Sequence, residues 1–233
     1  MRTRILPSLS GLFLGAMLAA VTVAAPARAQ LNFSVSLNTA SLVGNAAGPF
    51  TIDFQLTDGS GTDDANNSVT ISNFAFGGGG AVGTSSLLGG AAGSLSAGVS
   101  LTDSSFLNEF DQVFTPGSLL SFDVSMTTNV DAGLTPDEFS FAILDSTGSE
   151  IPTFDTVGDA FLTVDIDSVN PPVVVYASDP SRPLAATPTA PGVTTGIPNV
   201  TFAGPTQAPE PGTLPLLAAA GATAFAVVRR RRF

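Results

Sequence analysis

Between residues 30 and 177 apolar and polar side chains alternate with a period of two. In Phe33-Ser34-Val35-Ser36-Leu37 the odd positions are apolar, and in Thr51-Ile52-Asp53-Phe54-Gln55-Leu56-Thr57 the even ones are. Val69 and Ile71 alternate with Thr70 and Ser72 ahead of Phe74 and Phe76, and Leu95, Val99 and Leu101 share one face. Leu120, Phe122, Val124 and Met126 interleave with Ser121, Asp123 and Ser125. Phe139, Phe141 and Ile143 follow, then Leu162, Val164 and Ile166, then the β-branched run Val173–Tyr176. This pattern predicts strands with one buried and one wet face. Ser104–Phe114 carries Phe106, Phe110 and Phe114 four residues apart, a spacing open to helix or strand; its flanks favour strand. Turn signals separate the runs, among them Asp58-Gly59, Gly77–Gly80, Gly89-Gly90, Pro116-Gly117 and Thr147-Gly148. Eight to ten strands without crossover helices predict an all-β fold: a two-sheet antiparallel, jelly-roll-like β-sandwich with a Phe-rich core.

The ends follow a different pattern. Arg2 and Arg4, the apolar run Leu9–Ala25 and Ala27-Arg28-Ala29 have the layout of a secretory signal peptide, with a signal helix over residues 1–29 and cleavage after Ala29. Residues 178–208 are rich in Pro, Thr and Ala and read as an extended spacer, with Val200-Thr201-Phe202 as an alternative last strand. Residues 209–233 hold Pro209-Glu210-Pro211, the uncharged stretch Leu214–Val228, and Arg229, Arg230, Arg231 and Arg232 before Phe233. As a hydrophobic helix, Leu214–Val228 spans about 22 Å, and snorkelling arginines extend its reach toward the ~30 Å bilayer core. The arginine cluster places the tail's end in the cytoplasm and the body outside.

These three elements, in this order at the C-terminus, resemble the PEP-CTERM sorting signal. The resemblance implies a Gram-negative exporter of exopolysaccharide and processing by a membrane exosortase after signal peptidase has acted. It implies recognition of Pro209, Glu210 and Pro211, with Arg229–Arg232 holding the register. A permanent single-span anchor is the alternative reading of the same residues. Residues 31–177 are similar to a recurring domain of PEP-CTERM-tagged proteins, through Phe33–Leu37 with Asn38-Thr39, Phe50–Gly61, Asn73–Gly77 and Asn129–Gly133 ahead of Phe139–Asp145. That likeness supports the domain limits and carries no mechanism.

Charge narrows the function. There is no His, Cys or Lys, and Arg182 is the one base in residues 30–208, against every acid but Glu210. Nucleic-acid binding needs clustered cations and is excluded. Thiolate zinc sites, disulfides and histidine- or cysteine-based catalysis lack their residues. Self-repulsion in so anionic a body predicts stabilisation by salt or divalent cations.

The densest acidic run is Asp58-Gly59-Ser60-Gly61-Thr62-Asp63-Asp64-Ala65-Asn66-Asn67. Asp58, Ser60, Thr62 and Asp64 alternate like the first half of a calcium loop, and calcium takes six to eight oxygens in flexible geometry. Counted from Asp58, the sixth residue is Asp63 and the twelfth Val69, where an EF-hand has Gly and Glu, so the loop is not an EF-hand. A plain polar hairpin fits the same residues. Calcium is the only cofactor the sequence suggests. Glu109 with Asp111, and Asp137 with Glu138, offer carboxylates that glycoside cleavage could pair, and solvated surface acids fit the same residues.

The sequence therefore leads to an exported, non-enzymatic surface or matrix protein associated with exopolysaccharide. A carbohydrate-binding sandwich is the alternative, weakened by the absence of Trp and a single Tyr, Tyr176.

Overall fold

The computed structural model describes residues 30–60, 63–131, 133, 135–166, 172–185 and 193–203. Its strands are β1 (Gln30–Asn38), β2 (Phe50–Thr57), β3 (Ser68–Ala75), β4 (Gly80–Ala81), β5 (Ser86–Leu88), β6 (Ala92–Ser94), β7 (Gly98–Thr102), β8 (Leu107–Thr115), β9 (Leu119–Thr127), β10 (Asp137–Leu144), β11 (Leu162–Ile166), β12 (Val173–Val175) and β13 (Asn199–Phe202). The one helical turn among the described residues is the 3-10 segment Ala40–Leu42. One sheet runs β13-β1-β9-β3-β7-β6 and the other β12-β11-β10-β2-β8-β4, with β5 also on β8. Every strand pair is antiparallel. Eight strands of five or more residues carry the sandwich, and the short ones trim its edges.

The alternation sets the core. Phe33, Val35 and Leu37 of β1 are buried, as are Ile52, Phe54 and Leu56 of β2 and Leu120, Phe122, Val124 and Met126 of β9. Phe54 sits between the sheets. Its ring lies 5.2 Å from Phe122, edge to face, 5.3 Å from Phe141, and about 6 Å from Phe74, Phe110 and Phe139. Offset and edge-on ring pairs of this kind add to simple area burial.

Two features depart from the simple pattern. A β-bulge interrupts β3 between Ser72 and Ala75, where Asn73 takes φ 56°. Asn tolerates that left-handed backbone, and its amide donates to Asp123 Oδ2 at 2.7 Å. Phe106 is 63% exposed because β8 starts one residue later, so only Phe110 and Phe114 of the expected trio reach the core.

Part of the stretch expected as a spacer belongs to this body. Leu184 and Val193 pack in the core, and Ser178 Oγ donates to Thr195 O at 3.0 Å. Asn199–Phe202 pairs with β1, with Val200 opposite Val35. The alternative strand reading is the one observed there, because Val200 follows the apolar face of its neighbour. No helix among the described residues is long and apolar enough to cross a membrane. The signal segment 1–29, the tail 209–233 and therefore Ala27, Ala29, Pro209, Glu210, Pro211 and Arg229–Arg232 lie outside the described residues.

Candidate cation site

Three connections cross from one sheet to the other at the same end of the sandwich. They are β2–β3, β7–β8 and β9–β10. Each brings a carboxylate at or next to a strand end: Asp58 directly after β2, Asp103 directly after β7, and Asp137 as the first residue of β10. A strand end is where the ladder stops and side chains must take over the backbone groups.

Asn67, 1% exposed, ties the crossings together. Its Nδ2 donates to Asp137 Oδ2 at 2.7 Å and to Asn129 O at 2.9 Å. Its Oδ1 accepts from Asn129 N at 2.9 Å and from Thr127 Oγ1 at 3.1 Å. Its backbone N–H donates to Asp103 Oδ2 at 2.8 Å. Asp137 Oδ1 accepts from Gly59 N at 2.9 Å, and Asp58 Oδ2 accepts from Asp63 N at 2.5 Å. Asn66 Nδ2 donates to Asp131.

Carboxylate oxygens of Asp58, Asp131 and Asp137 all lie within 4.8 Å of one another. Two oxygens on opposite sides of one calcium ion are about 5 Å apart, at Ca–O distances of 2.3–2.6 Å. Asp58 and Asp103 are fully buried, yet Oδ1 of each has no hydrogen-bond partner, and neither has Oδ1 of Asn66. Buried polar atoms are almost always paired, and an unpaired buried carboxylate oxygen is especially unfavourable. The described residues supply no free cation to it: Arg182, the only base among them, is engaged by Asp159 through contacts of 2.7 and 2.9 Å. Burial pushes Asp103 up to about 7, with the Asp137 and Asp64 charges adding and the Asn67 N–H opposing. Asp58 and Asp131 are also raised, burial leading in both. What such a cluster lacks is positive charge, as protons or as a metal ion. The donors are all oxygen, which suits calcium rather than zinc.

The site is only partly the one the sequence suggested. Asp58 is one of its fully buried members. Asp64 accepts from Asn66 N at 3.0 Å as a turn residue, and its charge is felt by Asp58, Asp103 and Asp131. Ser60 instead joins two crossings, with its Oγ accepting from Thr135 N at 3.0 Å and its own N–H donating to Thr135 O at 2.9 Å. Thr62 lies outside the described residues. Asp103, Asp131, Asn66 and Asn67 come from beyond the expected set. Asp137 belongs here, whereas Glu138 points to the opposite side of β10, so the two do not form a catalytic pair.

Gly59 lets the crossings meet. A Cβ there would lie 2.2 Å from Pro136 O and 2.5 Å from Thr135 O. Gly59→Ala is expected to destabilise the fold by about 1–3 kcal/mol, as overpacking does, and to weaken any stabilisation by calcium. Denaturant melts with and without calcium measure both effects.

Comparison with protein-family models, with curated proteins and with solved structures finds no match for this chain.

Proposed function

We propose that this chain is an exported, non-enzymatic surface or matrix module associated with exopolysaccharide, its β-sandwich completed by calcium at the loop end. The observation that carries the calcium part is the set of buried carboxylate oxygens without partners in a body holding one arginine, itself already paired. Extracellular modules bind calcium with dissociation constants of about 10⁻⁴–10⁻³ M, so the ion fits a protein outside the cell. The export part rests on the signal-like segment 1–29 and the PEP-CTERM-like tail 209–233. The finer jelly-roll reading draws on two of the pairings such a fold makes, β2 beside β10 and β3 beside β9.

Intact-mass measurement of the native protein tests export and processing. The expected mass lacks residues 1–29 and the segment after the Pro-Glu-Pro motif. A mass that retains both ends overturns this part of the reading.

A second reading, carbohydrate binding, is favoured by a trough of about 310 Å³ on the outer face of the β11-β10-β2 sheet. Gln55, Glu138, Ser140, Thr163, Asp165 and the single tyrosine, Tyr176, line it. Polar side chains beside one aromatic ring suit sugar hydroxyls and ring faces. Under that reading Tyr176→Ala abolishes retention on the native polysaccharide; equal retention of the two proteins removes it.

A further inference from the structure

A second carboxylate cluster lies away from the loop end, in the middle of a sheet. Asp53 on β2 stands directly opposite Asp111 on β8, and Gln55 stands opposite Glu109. All four occupy positions between the core-facing Ile52, Phe54 and Phe110, so they share the outer face. Carboxylate oxygens of Asp53, Glu109 and Asp111 lie within 4.8 Å of one another. Like charges directly opposite across two strands are destabilising.

Burial sharpens the problem. Asp53 is only 3% exposed. Its Oδ2 accepts from Gln55 Nε2 at 2.8 Å, and the same amide donates to Glu109 Oε1 at 3.1 Å. Oδ1 of Asp53 and Oδ1 of Asp111 are both buried and without a partner. One amide therefore serves two carboxylates, and two oxygens on facing strands are left with nothing.

We propose that Asp53, Glu109 and Asp111, with Gln55 beside them, hold a second divalent cation of the calcium class on this face. Three carboxylates at this spacing surround a hard cation, and the glutamine amide presents its oxygen to the same ion when turned over. Burial alone lifts Asp53 most, with the Asp111, Glu109 and Glu150 charges adding, to about 8. Ionised and metal-free, the trio is an unfavourable arrangement that a cation relieves. Asp58 lies five residues further along the chain from Asp53, about 17 Å at ~3.4 Å per extended residue, so one ion cannot serve both clusters. The second site thus stands or falls independently of the loop-end site. It also gives a role to Gln55, which lines the trough: the ion fixes one side of that surface.

The test is calcium binding by the full chain, purified in mild detergent and stripped with chelator. Equilibrium dialysis against radioactive calcium is expected to give two ions per chain. Asp111→Asn is expected to bind one, and so is Asp58→Asn, each with an unchanged circular dichroism spectrum. One ion in the wild type, lost in Asp58→Asn and kept in Asp111→Asn, overturns this proposal and leaves the loop-end site standing. One ion lost in Asp111→Asn and kept in Asp58→Asn does the reverse. Should Asp111→Asn fail to fold, infrared spectroscopy of the wild type decides. Loss of the protonated-carboxyl band in calcium at about pH 8, where Asp103 is already largely ionised and Asp53 is not, in Asp58→Asn as well as in the wild type, supports the metal. A band that persists in saturating calcium means that Asp53 and Asp111 share a proton instead, and the proposal fails.

Discussion

Phe54→Ala is expected to lower the free energy of unfolding by about 3–5 kcal/mol, the usual cost of deleting a fully buried ring. Phe54 is completely shielded from solvent and touches rings from both sheets: Phe74 and Phe122 from one, Phe110, Phe139 and Phe141 from its own. Removing it leaves a void lined by those rings, which hang from two sheets that cannot close in without breaking ladder hydrogen bonds. With no disulfide in the chain, this burial has no covalent substitute. Urea unfolding measures the effect. A loss below about 1 kcal/mol would mean that the aromatic cluster is not the centre of the fold.

The second large effect is an inverted pH dependence in the absence of metal. Burial, reinforced by neighbouring carboxylates, lifts Asp53 to about 8, Asp103 to about 7 and Asp111 to about 6, from an ordinary 3.8. A carboxyl raised in the folded state binds its proton more tightly there than in the unfolded chain. Stability is then greatest while the group is protonated and falls as pH climbs from its unfolded value through its folded one. In chelator the melting temperature is expected to drop between about pH 5 and pH 8, by about 5–10 °C at the ~2–4 °C per kcal/mol typical of a domain this size. Asp123, held down by hydrogen bonds from Ser34 and Asn73, acts in the opposite sense, but only below its ordinary range and outside this window. Calcium binds the ionised form, so millimolar calcium is expected to flatten the drop and to act most strongly at the alkaline end. Calorimetry at the two pH values, with chelator or calcium, checks both halves. A melting temperature that rises with pH in chelator contradicts the account.

The strands were legible because a sandwich strand has one dry and one wet face, and Phe33–Leu37 or Leu120–Met126 write that directly. Phe106 misled because its spacing to Phe110 suits the same strand face, while the strand begins only after it. Leu184 and Val193 are single apolar residues among prolines and give no periodic signal, although both reach the core. The loop-end site was half visible. Asp58 stood in the acidic run, but Asp103, Asp131 and Asp137 lie far along the chain, and only the three sheet-to-sheet crossings bring them in. An acid at or next to a strand end in each of three crossings was the available clue. Asp53 had no clue, since alternation makes it an ordinary wet position and only the register with β8 puts Asp111 against it.

Completion of the buried loop-end carboxylates by calcium underlies these expectations. Its most direct test is the melting temperature of the chelator-stripped protein at neutral pH as calcium is added, with sodium chloride of equal ionic strength as control. At a calcium concentration of about 100 times the dissociation constant, one site contributes about 2.7 kcal/mol, a rise of about 5–10 °C that Asp58→Asn abolishes at that site. Superimposable melting curves with calcium at about 10–100 mM, about 100 times such a dissociation constant, and with the sodium control would contradict it.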